Sequence, residues 1–151
     1  MENYKPDGYH TAIPYLIING AAKAIEFYKD VFGATEMLRF PQPDGRIGHA
    51  EITIGDSVIM LADEFPEMGY RSPVSLGGSP VNICLYVPNT DKTVAAAVKA
   101  GATITQQIED KFYGDRAGAI KDPFGFTWNI MTHIRDVSTD EMMKAASAMD
   151  G

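Results

Sequence analysis

The sequence predicts an α+β protein made of two βαβββ modules and a terminal helix. Three observations predict it. Strand-like alternation and helix-like spacing run in the same order twice, on either side of a Pro-, Gly- and Ser-rich stretch at 63–80. Matching segments keep a nearly constant spacing. Phe32-Gly33-Ala34 and Ala100-Gly101-Ala102 lie 68 residues apart, while Ile13–Ile18 and Asn82–Val87 lie 69 apart, as do Ile59-Met60-Leu61 and Trp128-Asn129-Ile130. Finally, Asp122-Pro123-Phe124-Gly125 is a turn, since Asp bonds its own downstream backbone, Pro presets φ and Gly accepts positive φ. The strand after it, Phe126 to His133, puts Phe126, Trp128 and Ile130 on one face and Thr127, Asn129, Met131 and His133 on the other.

In order, residues 1–9 read as a loose lead-in with a turn at Lys5–Gly8, and Thr11–Asn19 as the first strand, ended by Gly20. Ala21–Phe32 is a helix, with Ala24, Ile25, Tyr28, Val31 and Phe32 on one stripe and Gly33 as its C-terminal cap. Strands are expected at Thr35–Phe40, Arg46–Ile54 and Ser57–Ala62. Residues 65–80 form a linker or a lid, with Phe65, Met68 and Tyr70 as its apolar members. The second module has a strand at Val81–Val87 and a helix at Thr90–Ala100, with Thr90 as N-cap and Gly101 as C-cap. Strands follow at Thr103–Ile108, Ala117–Lys121 and Phe126–Thr132, and a helix with a Met-rich stripe closes the chain at Ser138–Met149. This gives one domain over 1–151: module one at about 10–64, linker 65–80, module two 81–134 and terminal helix 138–149.

The bulk numbers narrow the function. Hydrophobic residues make up 45% of the chain and the net charge is -7, which disfavours nucleic acid and anionic membranes as partners. No apolar run approaches the roughly 20 residues of a membrane span. The start Met1-Glu2-Asn3-Tyr4-Lys5-Pro6 has no apolar signal core, and the single Cys84 has no internal disulfide partner, so a cytoplasmic location is expected. No glycine-rich nucleotide loop follows a strand.

Strand phase separates a packed face from an open one. Leu16, Ile18, Ala50, Ile52, Ile54, Ile59, Leu61, Ile83, Leu85, Val87, Trp128 and Ile130 face the helices. The opposite faces carry Tyr15, Ile17, His49, Glu51, Thr53, Met60, Asn82, Cys84, Tyr86, Asn129 and Met131. Apolar walls with a few polar groups suit an organic ligand, and Tyr15, His49, Glu51, Met60, Asn82, Tyr86, Asn129 and Met131 are the candidate ligand-binding residues. His49 and Glu51, two apart in a strand, share a face, so they form an acid/base pair, part of a displaced metal site, or a structural contact. Asn82 and Asn129 bind a ligand or each other. Cys84 reads as a small apolar packing residue, and Tyr113, Asp115 and Arg116 as loop residues.

The duplicated module, the Glu26–Ala34 helix end, Pro14-Tyr15-Leu16, His49-Ala50-Glu51, Met60-Leu61-Ala62-Asp63 and Phe124-Gly125-Phe126-Thr127-Trp128 resemble the vicinal oxygen chelate superfamily. That superfamily covers glyoxalases, bleomycin resistance proteins and extradiol dioxygenases, and the likeness is to its PhnB-like branch. It implies a U-shaped mixed sheet around an inter-module cavity, and a homodimer. Metal-dependent members draw ligands from the first and last strands of each module. Carried over by position, those places hold Ile13, Met60, Asn82 and Asn129, a poor donor set for a divalent transition metal. No cofactor or metal is therefore expected. The preferred expectation is a non-enzymatic protein that binds a small organic molecule. The alternatives are a divalent-metal lyase or dioxygenase with a displaced site at His49 and Glu51, and a dimeric assembly or regulatory protein with a vestigial pocket.

Overall fold

The computed structural model describes residues 3–149; the first two residues of the lead-in and the last two of the chain lie outside the described residues. The chain divides into two compact units between Ser79 and Pro80.

In the first unit the order is β1 (Tyr15–Ile18), α1 (Ala21–Phe32), β2 (Thr35–Pro41), β3 (Ile47–Ile54) and β4 (Ser57–Asp63). The sheet runs β1-β4-β3-β2, with β1 parallel to β4 and the other pairs antiparallel. One face packs on α1. Ala21, Ala24, Ile25, Phe27, Tyr28 and Val31 of the helix are buried, as are Leu16, Ile18, Ala50, Ile52, Ile54 and Leu61 of the sheet. Gly33 caps α1 at φ 68, where its amide reaches the Lys29 carbonyl, a conformation that favours glycine.

The second unit repeats the plan with β5 (Asn82–Tyr86), α3 (Thr90–Lys99), β6 (Thr103–Asp110), β7 (Asp115–Lys121) and β8 (Thr127–His133), in the order β5-β8-β7-β6. Again the first and last strands are parallel neighbours. Trp128, Ile120 and Ile130 are fully buried. The turn before β8 is built as its residues require. Asp122 accepts from the amides of Phe124 (2.9 Å) and Phe126 (3.0 Å), and its other oxygen accepts from the Trp128 indole at 2.9 Å.

The α+β fold of two βαβββ modules with mixed four-stranded sheets and a C-terminal helix, α4 (Thr139–Met149), is as the sequence predicts. Several details differ. Strand β1 starts at Tyr15, so Ile13 precedes the strand. Helix α3 is capped by the Asn89 side chain, which accepts from the Lys92 amide at 3.0 Å; Thr90 instead bonds Thr132 and the Arg116 carbonyl. The residue after α3 is Ala100, so Gly101 sits one place beyond the cap. Asp115 and Arg116 belong to β7. The Pro/Gly/Ser stretch folds onto the first unit through a 3-10 turn at Pro66–Met68, a Phe65–Tyr70 bridge and the short helix α2 (Pro73–Leu76). Glu64 anchors it by accepting from the Ser72 amide at 2.7 Å. Among the described residues no helix is long and apolar enough to cross a membrane.

Candidate functional site

The open face of the first sheet holds the candidate site. Pairing fixes its layout. Glu51 of β3 lies opposite Met60 of β4, and Met60 opposite Tyr15 of β1, while Phe40 of β2 lies opposite His49. Because side chains alternate along a strand, these residues share the face turned away from α1.

Three of them, Glu51, His49 and Tyr15, form one hydrogen-bonded chain with Tyr9 of the irregular lead-in. Tyr9 donates its hydroxyl to Glu51 Oε1. Glu51 Oε2 lies 2.7 Å from His49 Nε2, and His49 Nδ1 lies 2.8 Å from the Tyr15 hydroxyl. Phe40 stacks on the imidazole with centroids 6.2 Å apart, and the Tyr15 ring stands 5.5 Å from it on a tilt. Glu51 is buried, at 7% exposure. Burial pushes its carboxyl up, but hydrogen bonds from Tyr9 and His49 outweigh that and hold it below the usual carboxylate range. Glu51 is thus an anion at neutral pH and can only accept. His49 Nε2 must then carry a hydrogen. In the neutral imidazole Nδ1 is the acceptor, and Tyr15 donates to it. Burial, with Tyr70 and Glu51 nearby, raises the Tyr15 hydroxyl, so it keeps its proton.

A cavity of about 460 Å³ adjoins this chain, lined by Tyr15, Ile17, Gln42, Gly48, Phe65, Met68 and Tyr70. That volume lies within the range of small-molecule sites. Its walls come from β1, from the connection after β2 and the start of β3, and from the loop after β4. Arg46 fixes the loop: its guanidinium lies 4.1 Å from the Phe65 ring centre, 3.0 Å from Glu67 and 3.2 Å from the Glu64 carbonyl. Gly48 leaves room for Gln42, since a Cβ there would meet the Gln42 amide nitrogen at 2.4 Å.

The second sheet has its own open face. Asn82, Cys84 and Tyr86 of β5 are exposed, and Asn129 and Met131 of β8 are half-buried. Cys84 is exposed and accepts from the Asn129 amide at 3.4 Å, so it is not a packed apolar residue, and Asn129 is turned to Cys84 rather than to Asn82. Tyr86 donates to Asp115 Oδ2 at 2.7 Å. His133 bridges Asp115 (2.9 Å) and Asp136 (2.7 Å), which together raise its pKa, Asp136 most.

The sequence thus picked out Tyr15, His49, Glu51 and Met60, which the structure gathers on one sheet face; Asn82, Tyr86, Asn129 and Met131 sit on the other unit's sheet. It did not pick out Tyr9, Phe40, Gln42 or Gly48 as site residues. Tyr9 lies in an irregular segment and meets Glu51 42 residues away. No periodicity reports such a contact. Phe65, Met68 and Tyr70 did carry a signal, as aromatic and Met side chains in a Pro/Gly-rich loop.

These residues do not fit a divalent metal. Tyr15, Met60 and Glu51 stand side by side, but Met60 offers a thioether and both Glu51 oxygens already accept hydrogen bonds. Both His49 nitrogens are engaged as well. Among the described residues no three His, Cys, Asp or Glu side chains are grouped to hold a metal ion.

Comparison with known proteins agrees with the fold. The chain is 43% identical over 138 residues to an uncharacterised protein of Mycobacterium bovis, covering 89% of this chain and 91% of that one. It superposes on the crystal structure of a Pseudomonas aeruginosa protein with a TM-score of 0.70 at 23% identity, covering 83% and 99%. A PhnB protein of Bacillus cereus gives a TM-score of 0.66 at 13% identity, covering 82% and 99%. Residues 9–130 match the family described as the glyoxalase/bleomycin resistance protein/dioxygenase superfamily. With its two βαβββ units and that match over most of its length, the chain belongs to the glyoxalase/bleomycin resistance protein/dioxygenase superfamily.

Proposed function

We propose that the protein binds a small, planar organic molecule in the cavity of its first unit. The observation that carries this reading is the composition of the walls. Three aromatic rings, Tyr15, Phe65 and Tyr70, and the adaptable Met68 surround about 460 Å³, with the Gln42 amide as the polar member. Apolar walls supply affinity and a few polar groups set orientation. The walls remain wettable without a ligand: Tyr15 is 46% exposed, Tyr70 50% and Met68 68%. A bound ring would remove that apolar area from water at roughly 25 cal/mol per Å². The donor set supports binding without a metal, in the manner of a sequestering member of the PhnB-like branch.

The same reading takes the protein as a homodimer. Helix α4 supports it: none of its described residues is buried, and Met143 and Met149 are exposed. Light scattering on the purified chain tests that point, and a monomer at micromolar concentration contradicts it.

Ligand binding is tested by thermal unfolding with a panel of planar aromatic compounds. A compound that binds only the native state raises the midpoint in proportion to the logarithm of its concentration. At least one should do so, and Tyr70→Ala should reduce the shift. A panel without effect, or a shift untouched by Tyr70→Ala, contradicts the reading.

A further inference from the structure

The cavity and the hydrogen-bonded chain meet at one residue. Tyr15 lines the cavity, and its hydroxyl is the last link of the chain from Tyr9 through Glu51 and His49. The polarity of the chain is set at its buried end. Glu51 is an acceptor only, so His49 Nε2–H points to it, and in the neutral imidazole Nδ1 is the acceptor for the Tyr15 hydroxyl. A tyrosine that donates to its neighbour still has lone pairs. Its oxygen is therefore ready to accept a hydrogen bond from something in the cavity.

We propose that Tyr15, His49 and Glu51 form a proton relay that makes this cavity a site for a planar molecule carrying a weakly acidic hydroxyl, phenolic or enolic, bound as its oxyanion. The inference rests on the ligand-binding reading of the same cavity. The ligand O–H donates to the Tyr15 oxygen. Its proton passes to that oxygen as the Tyr15 proton passes to His49 Nδ1. One ligand O–H bond breaks, one Nδ1–H bond forms, and the Tyr15 O–H is exchanged. The ligand oxygen keeps the electron pair and accepts from the Tyr15 hydroxyl. No electron leaves either molecule and no co-reactant is needed. The new imidazolium sits 2.7 Å from the Glu51 carboxylate, so the cation is formed where an anion already waits.

The surroundings suit that state. Tyr9 holds the second Glu51 oxygen and fixes the carboxylate. On the neighbouring strands, β2 presents the Phe40 ring to the imidazole, and β4 places Met60 beside Glu51. The Tyr15 hydroxyl is protonated before and after the exchange, so it is a carrier rather than a store. The geometry is that of a base held by a carboxylate, with a hydroxyl between it and the ligand.

The test uses 4-nitrophenol, whose phenolate absorbs in the visible and so reports its own protonation. The full chain is dialysed against the probe at a pH below the ionisation of the free phenol, and the spectrum of the bound fraction is recorded. The ratio of phenolate to phenol in that fraction should exceed the free ratio at the same pH by about tenfold, one pKa unit. Tyr15→Phe, at a half-exposed position, should still bind the probe and lose the enrichment. His49→Gln should lose it too. The proposal is overturned if the bound and free ratios are equal, or if Tyr15→Phe keeps the enrichment. It is also overturned if nitrobenzene, the same ring without the hydroxyl, binds and 4-nitrophenol does not; the ligand-binding reading then stands. If neither compound binds, that reading loses its support together with the relay.

Discussion

Asp63 and Thr132, 69 residues apart, do the same work in the two modules. Each sits near the end of the strand that pairs in parallel with its module's first strand, and each reaches across to the start of that module's helix. Asp63 accepts from the Gly20 amide at 3.1 Å and the Ala21 amide at 2.8 Å. Thr132 Oγ accepts from the Thr90 amide at 3.0 Å. Helix α1 has no side-chain cap of its own and no acidic residue in its first turn, so a strand supplies what the helix lacks. Asp63 also accepts from the Ile47 amide at 2.6 Å, tying β3 to the same point.

The two substitutions should therefore differ in cost. Asp63→Ala leaves three backbone donors without this carboxylate acceptor. Thr132→Val takes the acceptor from one backbone donor, the Thr90 amide; the other two Thr132 bonds are a hydroxyl contact with Thr90 and a donation to the Val87 carbonyl. Each such loss costs about 1–3 kcal/mol. Urea denaturation should show Asp63→Ala as the more destabilising, by at least about 1 kcal/mol. Equal midpoints would contradict that order.

Asp122 and Trp128 make a second buried contact with a readable outcome. Asp122→Ala removes the acceptor of two amides and of the indole, and should cost more than about 3 kcal/mol. Trp128→Phe keeps most of the ring but removes the indole donor to one Asp122 oxygen. It should cost about 1–3 kcal/mol, which is less than truncation of the aspartate. Denaturant midpoints of the two variants decide the order.

His133 gives a pH dependence. Its folded pKa is raised by Asp136 and Asp115, so folding favours the charged imidazole. The stabilisation is complete below the ordinary histidine value of about 6.5 and is lost as pH rises through the higher folded value. The difference in urea midpoint between the native chain and His133→Gln should thus be largest on the acid side of neutrality and shrink in mildly alkaline solution. A difference that grows with pH would contradict the assigned contacts.

Arg46 lets binding be separated from folding. Its ion pairs with Asp44 and Glu67 are largely exposed, and exposed pairs contribute about 0–1 kcal/mol. Yet the same guanidinium covers the Phe65 ring and holds the Glu64 carbonyl, so it fixes one wall of the cavity. Arg46→Ala should leave the unfolding midpoint within a few degrees of the native chain while weakening any aromatic ligand several-fold. Loss of stability without loss of affinity would move Arg46 from the site to the scaffold.

What the sequence made legible follows from its periodicities. Alternation placed Tyr15, His49, Glu51 and Met60 on one face, because a strand offers only two faces and the apolar partners Leu16, Ala50 and Leu61 fill the other. The nearly constant spacing between modules revealed the repeat. The rest depends on contacts between distant residues, which no local pattern encodes. Tyr9 belongs to an irregular segment, and only the folded sheet brings Glu51 to it. Asn89 and Thr90 are both good helix caps by type, and the choice between them is made by Thr132, which claims the Thr90 hydroxyl. Asp115 and Arg116 follow a glycine and carry charge, so they read as loop. Strand β7 nonetheless reaches them because Asp115 is taken up by Tyr86 and His133, and Arg116 by Asp91 and Asp110. The stretch after β4 reads as a linker by composition, yet Glu64, Arg46 and Ser72 fold it into a wall.

The most direct test of the ligand site is a map of where a small aromatic molecule lands. Amide chemical shifts of the isotope-labelled chain, recorded during titration with nitrobenzene and with 4-nitrophenol, provide it. The largest changes should fall on Tyr15, Ile17, Gln42, Gly48 and Tyr70, with His49 joining them for the phenol. Changes centred on Asn82, Cys84 and Asn129 instead, with the first unit unmoved, would contradict the assignment.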